Sequence, residues 1–358
     1  MNKKKRILYV VTDVATAGGV MSIISKKVNY LLQNGYIVDI LSITRSEKTF
    51  YKLHKNVKLL FFDSHNGNIL KNLISTLRMI KQTKYDIIIS ADAQYMTWVL
   101  PFFSSSKKIL ELHQSYDGII EYIRDRYHSK LVSSFFSFLK KIAYPFYDRI
   151  ITLTEEDREK WGYRQTLVIP NFHTLEIKQE VQETKKAIVC VGRFHHQKGY
   201  HLLIEAWKVV ANLYPDWKLH YYGEAVSSRS IQILKDLNAP SSFELKGYES
   251  NSDKLYGNYY LNIVPSISES FSLSVIEAMC YSVPSVSFDI TGPRSIIKDG
   301  VNGVLVDAYN TKELANKIIS LIENKPFRNK LSKACLESAT YYTQNEIMSK
   351  WLELFKNI

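Results

Sequence analysis

Two positively charged side chains stand five residues apart in segment 191–199, whose sequence is VGRFHHQKG. Arg193 carries a planar fork of hydrogen-bond donors and Lys198 a compact point charge, and both types bind phosphate groups. Fixed cations also stabilise the charge that develops when a nucleoside diphosphate leaves. A solvated surface loop is the alternative, but the flanking glycines and the position between a predicted strand and helix favour phosphate binding.

Two glutamates with seven residues between them form a second group. Glu269 and Glu277 bracket a loop and the first turns of a predicted helix, residues 272–280. A carboxylate accepts hydrogen bonds from both hydroxyls of a ribose or hexose, which suits sugar binding. Small residues near the helix start expose N–H groups to an anion or a sugar oxygen. The structural alternative is a helix-terminal charge at Glu269 and a buried, paired Glu277.

A glycine pair and a histidine follow predicted strands in the first half of the chain. Gly18 and Gly19 open a helix after strand 7–11, where free N–H groups and the helix dipole favour an anion; a plain turn is the alternative. The pattern is not GxGxxG and no acidic residue is placed for a dinucleotide ribose, so a nicotinamide cofactor is not expected. His113 follows strand 108–112 and is a candidate for the site, although a lone histidine is more often structural.

Short β-branched runs alternate with amphipathic segments twice along the chain, which predicts an α/β fold with two Rossmann-like, doubly wound domains facing across a cleft. Ligands in such sheets bind beyond the carboxyl ends of the strands. We predict an N-terminal domain over 1–170, a C-terminal domain over 171–342, and a last helix over 343–358 that packs back on the N-terminal domain. The predicted strands are 7–11, 37–43, 86–90, 108–112, 149–153, 187–191, 218–222, 262–265 and 284–288, with helices at 20–33, 94–103, 200–214, 228–237 and 272–280.

Size, cysteines and charge limit the class of protein. The 358 residues exceed the roughly 250–300 at which a single core stops growing, so two domains are expected. The three cysteines form no disulfide framework, and neither a signal peptide nor a membrane span is expected, which predicts a cytoplasmic protein or one on the cytosolic face of a membrane. The net charge of +12 is concentrated in residues 1–170, where 26 Lys and Arg face 15 Asp and Glu. That excess fits an anionic partner, such as a lipid surface, a phosphorylated acceptor or nucleic acid, and it fits equally a set of solvated lysine-rich faces.

Together these segments resemble the GT-B glycosyltransferases of family 4, whose signature is the spaced glutamate pair preceded by the Gly-Arg…Lys-Gly loop. The resemblance extends over nearly the whole chain. It also includes the glycine pair, His113, Ile169-Pro170-Asn171, Tyr222-Gly223-Glu224, Thr291-Gly292-Pro293 and Asp299-Gly300-Val301-Asn302-Gly303.

The resemblance implies roles for individual residues. Arg193 and Lys198 would bind the donor diphosphate, Glu277 the ribose hydroxyls, and Glu269 the transferred sugar. His113 would contact the sugar near the reaction centre. His113, Glu269, Arg193 and Lys198 are therefore the expected catalytic residues; the expected donor-binding set is Gly18, Gly19, Arg193, Lys198, Gly223, Tyr248, Glu269, Phe271, Ser272, Leu273 and Glu277.

The family transfers with retention at the anomeric carbon, and no nucleophile is assigned. Ser272 and Ser282 stand where the family often has glycine, and the acidic residue often found near Ser295 is absent. The β-carbon at 272 narrows the room beside the sugar, which bears on donor choice. No Asp-x-Asp pair occurs in the chain, so we expect no metal and no cofactor beyond the nucleotide-sugar donor.

By resemblance the basic N-terminal domain takes the acceptor. Residues 123–149 mix basic and aromatic side chains, which fits either a membrane interface or a helix that packs its aromatics inward. The working hypothesis is a glycan or lipid-linked acceptor with peripheral contact to an anionic membrane. No binding motif for nucleic acid accompanies the charge.

Three functions stay open. The first is a retaining hexosyl- or N-acetylhexosaminyltransferase that uses a UDP-sugar in surface-polysaccharide or glycoconjugate assembly. The second is a GT-B nucleotide-sugar epimerase. The third is a catalytically silent, sugar-nucleotide-binding partner subunit, which is disfavoured because Arg193, Lys198, Glu269 and Glu277 are all present.

Overall fold

The computed structural model describes residues 5–46, 48–62, 69–91, 93, 96–103, 105–118, 138–178, 185–224 and 226–358. The chain divides into two compact units. Unit 1 comprises Met1–Ile169 and Met348–Ile358, and unit 2 comprises Pro170–Ile347.

Unit 1 is built on a parallel sheet whose strand order among the described residues is β3-β2-β1-β4-β5-β6-β7. The central strands are apolar runs buried along their length, as in parallel sheets. The strands are β1 (Arg6–Val11), β2 (Ile37–Ser42), β3 (Lys58–Phe61), β4 (Ile87–Ser90), β5 (Lys107–Glu111), β6 (Arg149–Thr152) and β7 (Thr166–Val168). The helices are α1 (Gly19–Gln33), α2 (Ile69–Thr83), α3 (Met96–Val99) and α4 (Glu155–Trp161).

Unit 2 has a second parallel sheet, in the order β10-β9-β8-β11-β12-β13 within the described residues. Its strands are β8 (Ala187–Val191), β9 (Lys218–Tyr222), β10 (Phe243–Gly247), β11 (Asn262–Val264), β12 (Ser285–Phe288) and β13 (Gly303–Val306). Its helices are α5 (Tyr200–Leu213), α6 (Ser228–Asp236), α7 (Ser252–Tyr256), α8 (Leu273–Met279), α9 (Thr291–Arg294), α10 (Thr311–Glu323) and α11 (Lys325–Thr340). The predicted fold class, two Rossmann-like α/β domains with parallel sheets, is confirmed.

Most predicted elements are present with ends that shift by one or two residues. The helix predicted over 94–103 is an exception, and residues 94 and 95 lie outside the described part. The α-helical stretch is only α3, and a 3-10 turn at Leu100–Phe102 follows it. Pro101 explains the break, because proline has no N–H to donate and its ring crowds the preceding turn.

The last helix, α12 (Gln344–Asn357), begins in unit 2 and ends in unit 1. Its apolar face is buried along its length: Ile347, Trp351 and Phe355 are each at most 1% exposed. This is the spacing expected of a helix that docks one face against a core. No helix in the described part of the chain is long and apolar enough to cross a membrane.

Candidate functional site

The loop that carries Arg193 and Lys198 leaves the carboxyl end of β8 and ends at Gly199, the N-cap of α5. Gly199 has a φ of 67°, and a β-carbon added there would lie 1.8 Å from the carbonyl oxygen of Pro265. Glycine is therefore required both for the left-handed turn and for close approach to the chain after β11. This approach brings the two charged motifs of unit 2 together.

The two motifs make direct contacts. Lys198 Nζ lies 3.0 Å from Glu269 Oε1, and their side chains are 23% and 12% exposed. The backbone N–H of Ile267 donates to the carbonyl of Gln197 at 2.8 Å, and the Gln197 side-chain amide donates to the carbonyl of Ser268 at 3.3 Å. A cation suited to phosphate and a carboxylate suited to sugar hydroxyls thus share one strand-end site.

Two more glycines allow neighbouring loops to pack closely against this site. A β-carbon on Gly223 would lie 1.9 Å from the Gly192 carbonyl oxygen, and one on Gly292 would lie 2.6 Å from the Glu269 carbonyl oxygen. Gly292 N–H also donates to that Glu269 carbonyl at 2.9 Å. The backbone of Glu269 is thereby fixed by the start of α9, so its carboxylate projects from a supported position.

Glu277 lies on α8, the helix that directly follows the loop with Glu269. Its Oε2 accepts a hydrogen bond from the buried hydroxyl of Tyr256 at 3.1 Å. Burial and then the neighbouring Glu277 raise the pKa of Tyr256 well above its ordinary value, so the hydroxyl keeps its proton and acts as the donor. Tyr256 was not identified from the sequence, where it lies between Leu255 and Gly257 outside the motifs described above.

Arg193 is exposed, while its backbone is anchored: the Tyr221 hydroxyl donates to the Arg193 carbonyl at 3.0 Å.

Gly223 and the neighbouring Glu224 line a cavity of about 360 Å³ together with the stacked rings of Phe194 and Tyr200, whose centroids are 4.2 Å apart. Tyr248, just after β10, is 60% exposed.

The remaining predicted donor residues lie at the start of α8; they are Phe271, Ser272 and Leu273. The side chain of Phe271 is 6% exposed and that of Ser272 is 0% exposed.

The predicted residues of unit 1 lie at the carboxyl ends of β1 and β5. Gly19 is the first residue of α1, and the Gly18 N–H lies 3.2 Å from the Tyr51 hydroxyl. A β-carbon on Gly18 would meet nothing within 4 Å, so the packing of the chain itself does not require glycine there. His113 follows β5 and is 7% exposed.

A buried ion pair behind His113 was not predicted from the sequence. His113 Nε2 lies 3.3 Å from Glu111 Oε1, and the same carboxylate oxygen accepts a hydrogen bond from Lys27 Nζ. Burial by itself would raise the pKa of Glu111, but the Lys27 ammonium and His113 outweigh it and lower that pKa to about 2. Burial lowers the pKa of Lys27, and contact with Glu111 partly opposes this.

Two features of the sequence indicate the Lys27–Glu111 pair. Lys27 stands on the apolar stripe of α1, four residues after Ile23 and three after Ile24, where a lone charge requires a partner. Glu111 stands two residues before His113, so both side chains leave the chain on the same face of the strand.

No group of three or more His, Cys, Asp or Glu side chains among the described residues is arranged to hold a metal ion.

The basic and aromatic segment 123–149 is described only from residue 138 onward. There Phe138 and Phe146 are 57% and 58% exposed, and the Phe146 ring lies 4.9 Å from that of the exposed Phe102. Inward packing is therefore wrong for these two aromatics.

Comparison with known proteins finds similarity to glycosyltransferases. Residues 172–337 match the family model described as glycosyl transferases group 1. An uncharacterized glycosyltransferase of Haemophilus influenzae is 25% identical over 360 residues, which cover 97% of this chain and 99% of the relative. The poly(ribitol-phosphate) alpha-N-acetylglucosaminyltransferase of Staphylococcus aureus is 31% identical over 215 residues, 58% of this chain and 44% of that protein.

Solved structures resemble the chain over its whole length. A variant of TarM from S. aureus, solved in complex with fondaparinux, alpha-GlcNAc-glycerol and UDP, has a TM-score of 0.78 and 18% identity. The match covers 98% of this chain and 100% of that one. At this identity the likeness shows the fold.

Proposed function

We propose that the protein transfers a sugar from a nucleoside diphosphate sugar to a glycan or lipid-linked acceptor, because residues 172–337 match the family model described as glycosyl transferases group 1 and the two units have the GT-B fold. The observation that carries the proposal is the 3.0 Å contact between Lys198 Nζ and Glu269 Oε1. It joins a phosphate-binding cation to a sugar-binding carboxylate at the carboxyl ends of β8 and β11.

The leaving diphosphate is stabilised by Arg193 and Lys198, whose fixed charges offset the negative charge that develops as the glycosidic bond to phosphate breaks. Glu277 accepts hydrogen bonds from the ribose hydroxyls, and the Tyr256 hydroxyl orients its carboxylate. Glu269 accepts hydrogen bonds from hydroxyls of the transferred sugar. The reaction therefore needs no metal, since the two cations do the work of a divalent ion.

The donor we propose is a UDP-linked hexose or N-acetylhexosamine. Support comes from relatives: the S. aureus protein named above is an N-acetylglucosaminyltransferase, and the TarM variant was solved with UDP. We also propose retention at the anomeric carbon, with the acceptor hydroxyl attacking on the leaving-group face and a phosphate oxygen taking its proton. No protein residue is assigned as nucleophile.

The acceptor we propose is a surface polysaccharide or another glycoconjugate. Poly(ribitol-phosphate) and poly(glycerol-phosphate) are named in two relatives, and the positive excess of residues 1–170 suits a polymer or lipid that carries phosphate. The exposed Phe138, Phe146 and Phe102 support peripheral contact of unit 1 with an anionic membrane on the cytosolic side.

The decisive experiment offers the purified chain a panel of UDP-, GDP- and ADP-sugars with radiolabelled sugar and excess EDTA. We expect release of UDP and transfer of label to a glycan or lipid extract, and no dependence on a divalent ion. Conversion of the donor to an epimer without transfer would instead identify an epimerase. Tight UDP binding without turnover of any donor would identify a silent binding subunit, and activity only with added Mn²⁺ or Mg²⁺ would reject the proposed mechanism.

A further inference from the structure

The segment between β2 and β3, residues 43–57, has an uneven charge, and we call it the basic segment. It contains one acidic residue, Glu47, and four basic residues: Arg45, Lys48, Lys52 and Lys55. The segment in the equivalent place of the second sheet, residues 223–242 between β9 and β10, contains two basic and two acidic residues. The excess of positive charge is therefore a property of this segment and is not required by the fold.

The four basic side chains of the basic segment are exposed, and none of them makes an ion pair with a described residue. Cations elsewhere on the surface of unit 1 are paired: Lys107 lies 3.1 Å from Asp148, and Arg158 lies 2.8 Å from Glu155. An exposed ion pair contributes little to stability, so a solvated surface is the alternative explanation for the unpaired charges. The path of the backbone decides how these charges can be used.

Hydrogen bonds hold the start of the basic segment against the loop between β1 and α1. The Thr44 N–H donates to the Thr12 carbonyl at 2.8 Å. The Ser46 hydroxyl donates to Asp13 Oδ1 at 2.9 Å. Arg45 lies between these two anchored residues, so its backbone is fixed just beyond the carboxyl end of β2 while its side chain is exposed. Ligands of parallel α/β sheets bind at this edge.

The rest of the basic segment follows α1. The Tyr51 hydroxyl lies 3.2 Å from both the backbone nitrogen and the carbonyl oxygen of Gly18. Asn29 on α1 donates to the Lys52 carbonyl at 3.1 Å and accepts from the His54 N–H at 2.8 Å. Because a helix rises about 1.5 Å per residue, the path from the first residue of α1 to Asn29 covers about 15 Å. The four cations are thus spread in a row along α1.

A row of cations fits a ligand whose negative charges repeat along a chain. Cations that converge on one point suit a single phosphate, whereas a phosphodiester chain brings a charge to each member of a row. Binding such a chain also releases the counterions condensed on it, so affinity grows with the number of phosphates contacted. Proteins that bind single-stranded nucleic acid add aromatic side chains on which successive bases stack. The described part of the basic segment exposes one aromatic ring, that of Phe50, which favours a chain without bases.

We propose that the basic segment binds an acceptor made of polyols joined by phosphodiesters, whose successive phosphates contact Arg45, Lys48, Lys52 and Lys55. The proposal rests on the proposed function in one respect, since the polymer is an acceptor only if the protein transfers a sugar. Binding of the polymer itself needs no turnover and is measured directly.

Two variants that lose the same number of charges separate the basic segment from the effect of net charge. The first neutralises the four cations of the basic segment by the changes Arg45→Gln/Lys48→Gln/Lys52→Gln/Lys55→Gln. The matched control neutralises four exposed lysines on α10 and α11 of unit 2 by the changes Lys312→Gln/Lys317→Gln/Lys330→Gln/Lys333→Gln. All the altered side chains are exposed, so both variants should fold, and urea denaturation checks this.

The first measurement compares the affinity of the wild type for glycerol phosphate, for a short oligomer of it and for long poly(glycerol phosphate), by calorimetric titration at several salt concentrations. Affinity is expressed per repeat unit, so that a longer chain does not gain merely by offering more sites. We expect affinity to rise with chain length, and the logarithm of the binding constant of the polymer to fall linearly with the logarithm of the salt concentration. Equal affinity for monomer and polymer, or a polymer affinity that ignores salt, overturns the proposal.

The second measurement compares the two variants. Each exposed contact between charges contributes roughly 1.5- to 5-fold to binding, so the variant of the basic segment should bind the polymer at least about tenfold more weakly than the wild type. The control should stay within about twofold of the wild type, because its lysines lie outside the basic segment. Equal losses in the two variants overturn the proposal, since net charge alone would then explain the binding.

Two other partners are tested with the same proteins. A single-stranded oligonucleotide with a matched number of phosphates should bind the wild type more weakly than the polyol chain does; tighter binding overturns the proposal and assigns the basic segment to nucleic acid. Anionic vesicles should bind the two variants equally. A loss of vesicle binding confined to the variant of the basic segment, with polymer binding intact, overturns the proposal in favour of a membrane. A wild type that binds the polymer as expected but transfers no sugar rejects the proposed function and supports the polymer site.

Discussion

Lys198 and Glu269 lie 71 residues apart in the sequence, yet their charged groups are 3.0 Å apart at the carboxyl edge of the second sheet. The segments that follow four strands, β8, β9, β11 and β12, come close together around this contact, and glycines at 199, 223 and 292 allow the close backbone approaches. A site built this way holds its charges in position before any ligand binds, which is what electrostatic stabilisation of a leaving group requires.

Replacing Lys198 by alanine should remove a charge-assisted hydrogen bond to the diphosphate. Such a bond contributes about 1.5–3 kcal/mol, so UDP should bind roughly 10- to 150-fold more weakly in calorimetric titration. The matched control is Lys208→Ala, which removes a surface lysine paired with Glu205 at 2.7 Å on α5. Unchanged UDP affinity in Lys198→Ala would reject the assignment of this lysine.

Glu277 should determine how strongly the ribose contributes to binding. The wild type is expected to bind UDP more tightly than 2′-deoxy-UDP, because the carboxylate accepts from the 2′-hydroxyl. In Glu277→Ala the two nucleotides should bind equally, and Tyr256→Phe should reduce the preference only in part, since it removes the 3.1 Å hydrogen bond that orients the carboxylate. A preference that survives in Glu277→Ala would place the ribose elsewhere.

Gly199 should tolerate alanine far less well than Gly300, although both have a φ near +68°. At Gly300 an added β-carbon meets nothing within 4 Å, so only the backbone penalty of about 1 kcal/mol applies. At Gly199 the carbon would lie 1.8 Å from the Pro265 carbonyl oxygen, so the site loops must move apart. Urea denaturation and UDP titration of the two variants check this; equal losses of unfolding free energy would contradict it.

The Lys27–Glu111 pair should make unit 1 sensitive to acid. Because the folded-state pKa of Glu111, about 2, is below its ordinary 4.5, its contribution to stability is complete above about pH 5 and is lost as the pH falls towards 2. The difference corresponds to about 3 kcal/mol at most. Urea unfolding at several pH values should show a steeper loss in the wild type than in Lys27→Met/Glu111→Met, and parallel curves would contradict it.

The exposed phenylalanines of unit 1 should contribute to membrane contact. Phe138→Ser/Phe146→Ser should reduce co-sedimentation with anionic vesicles, and added salt should reduce the binding that remains, because basic residues act through screened charge. Tyr341→Ser is a control for loss of an exposed aromatic in unit 2, where Tyr341 is 65% exposed. Binding to neutral vesicles as strong as to anionic ones would argue against an electrostatic component.

The strands missed by sequence analysis have one feature in common. β3 and β7 are the edges of the first sheet, and β10 and β13 are the edges of the second. An edge strand needs fewer buried residues than a central one. None of these four strands is buried throughout, whereas β4, β11 and β12 are. β13 starts at Gly303, which has no side chain to extend the apolar pattern.

The sequence by itself determined the two α/β series and the residues that stand where central strands end, such as Arg193, Glu269 and His113. Both are local properties of the sequence. A central strand that is buried on both faces of the sheet must be an apolar run. A ligand that binds at the carboxyl ends of the strands requires glycine and charged residues just after such a run.

Only the tertiary structure decided which of those residues act together. The contact of Lys198 with Glu269, of Glu111 with Lys27, and of Trp351 with that lysine each joins segments far apart in the chain. Such pairs leave little trace in local pattern, since their energy comes from packing and desolvation that exist only after the sheets have formed.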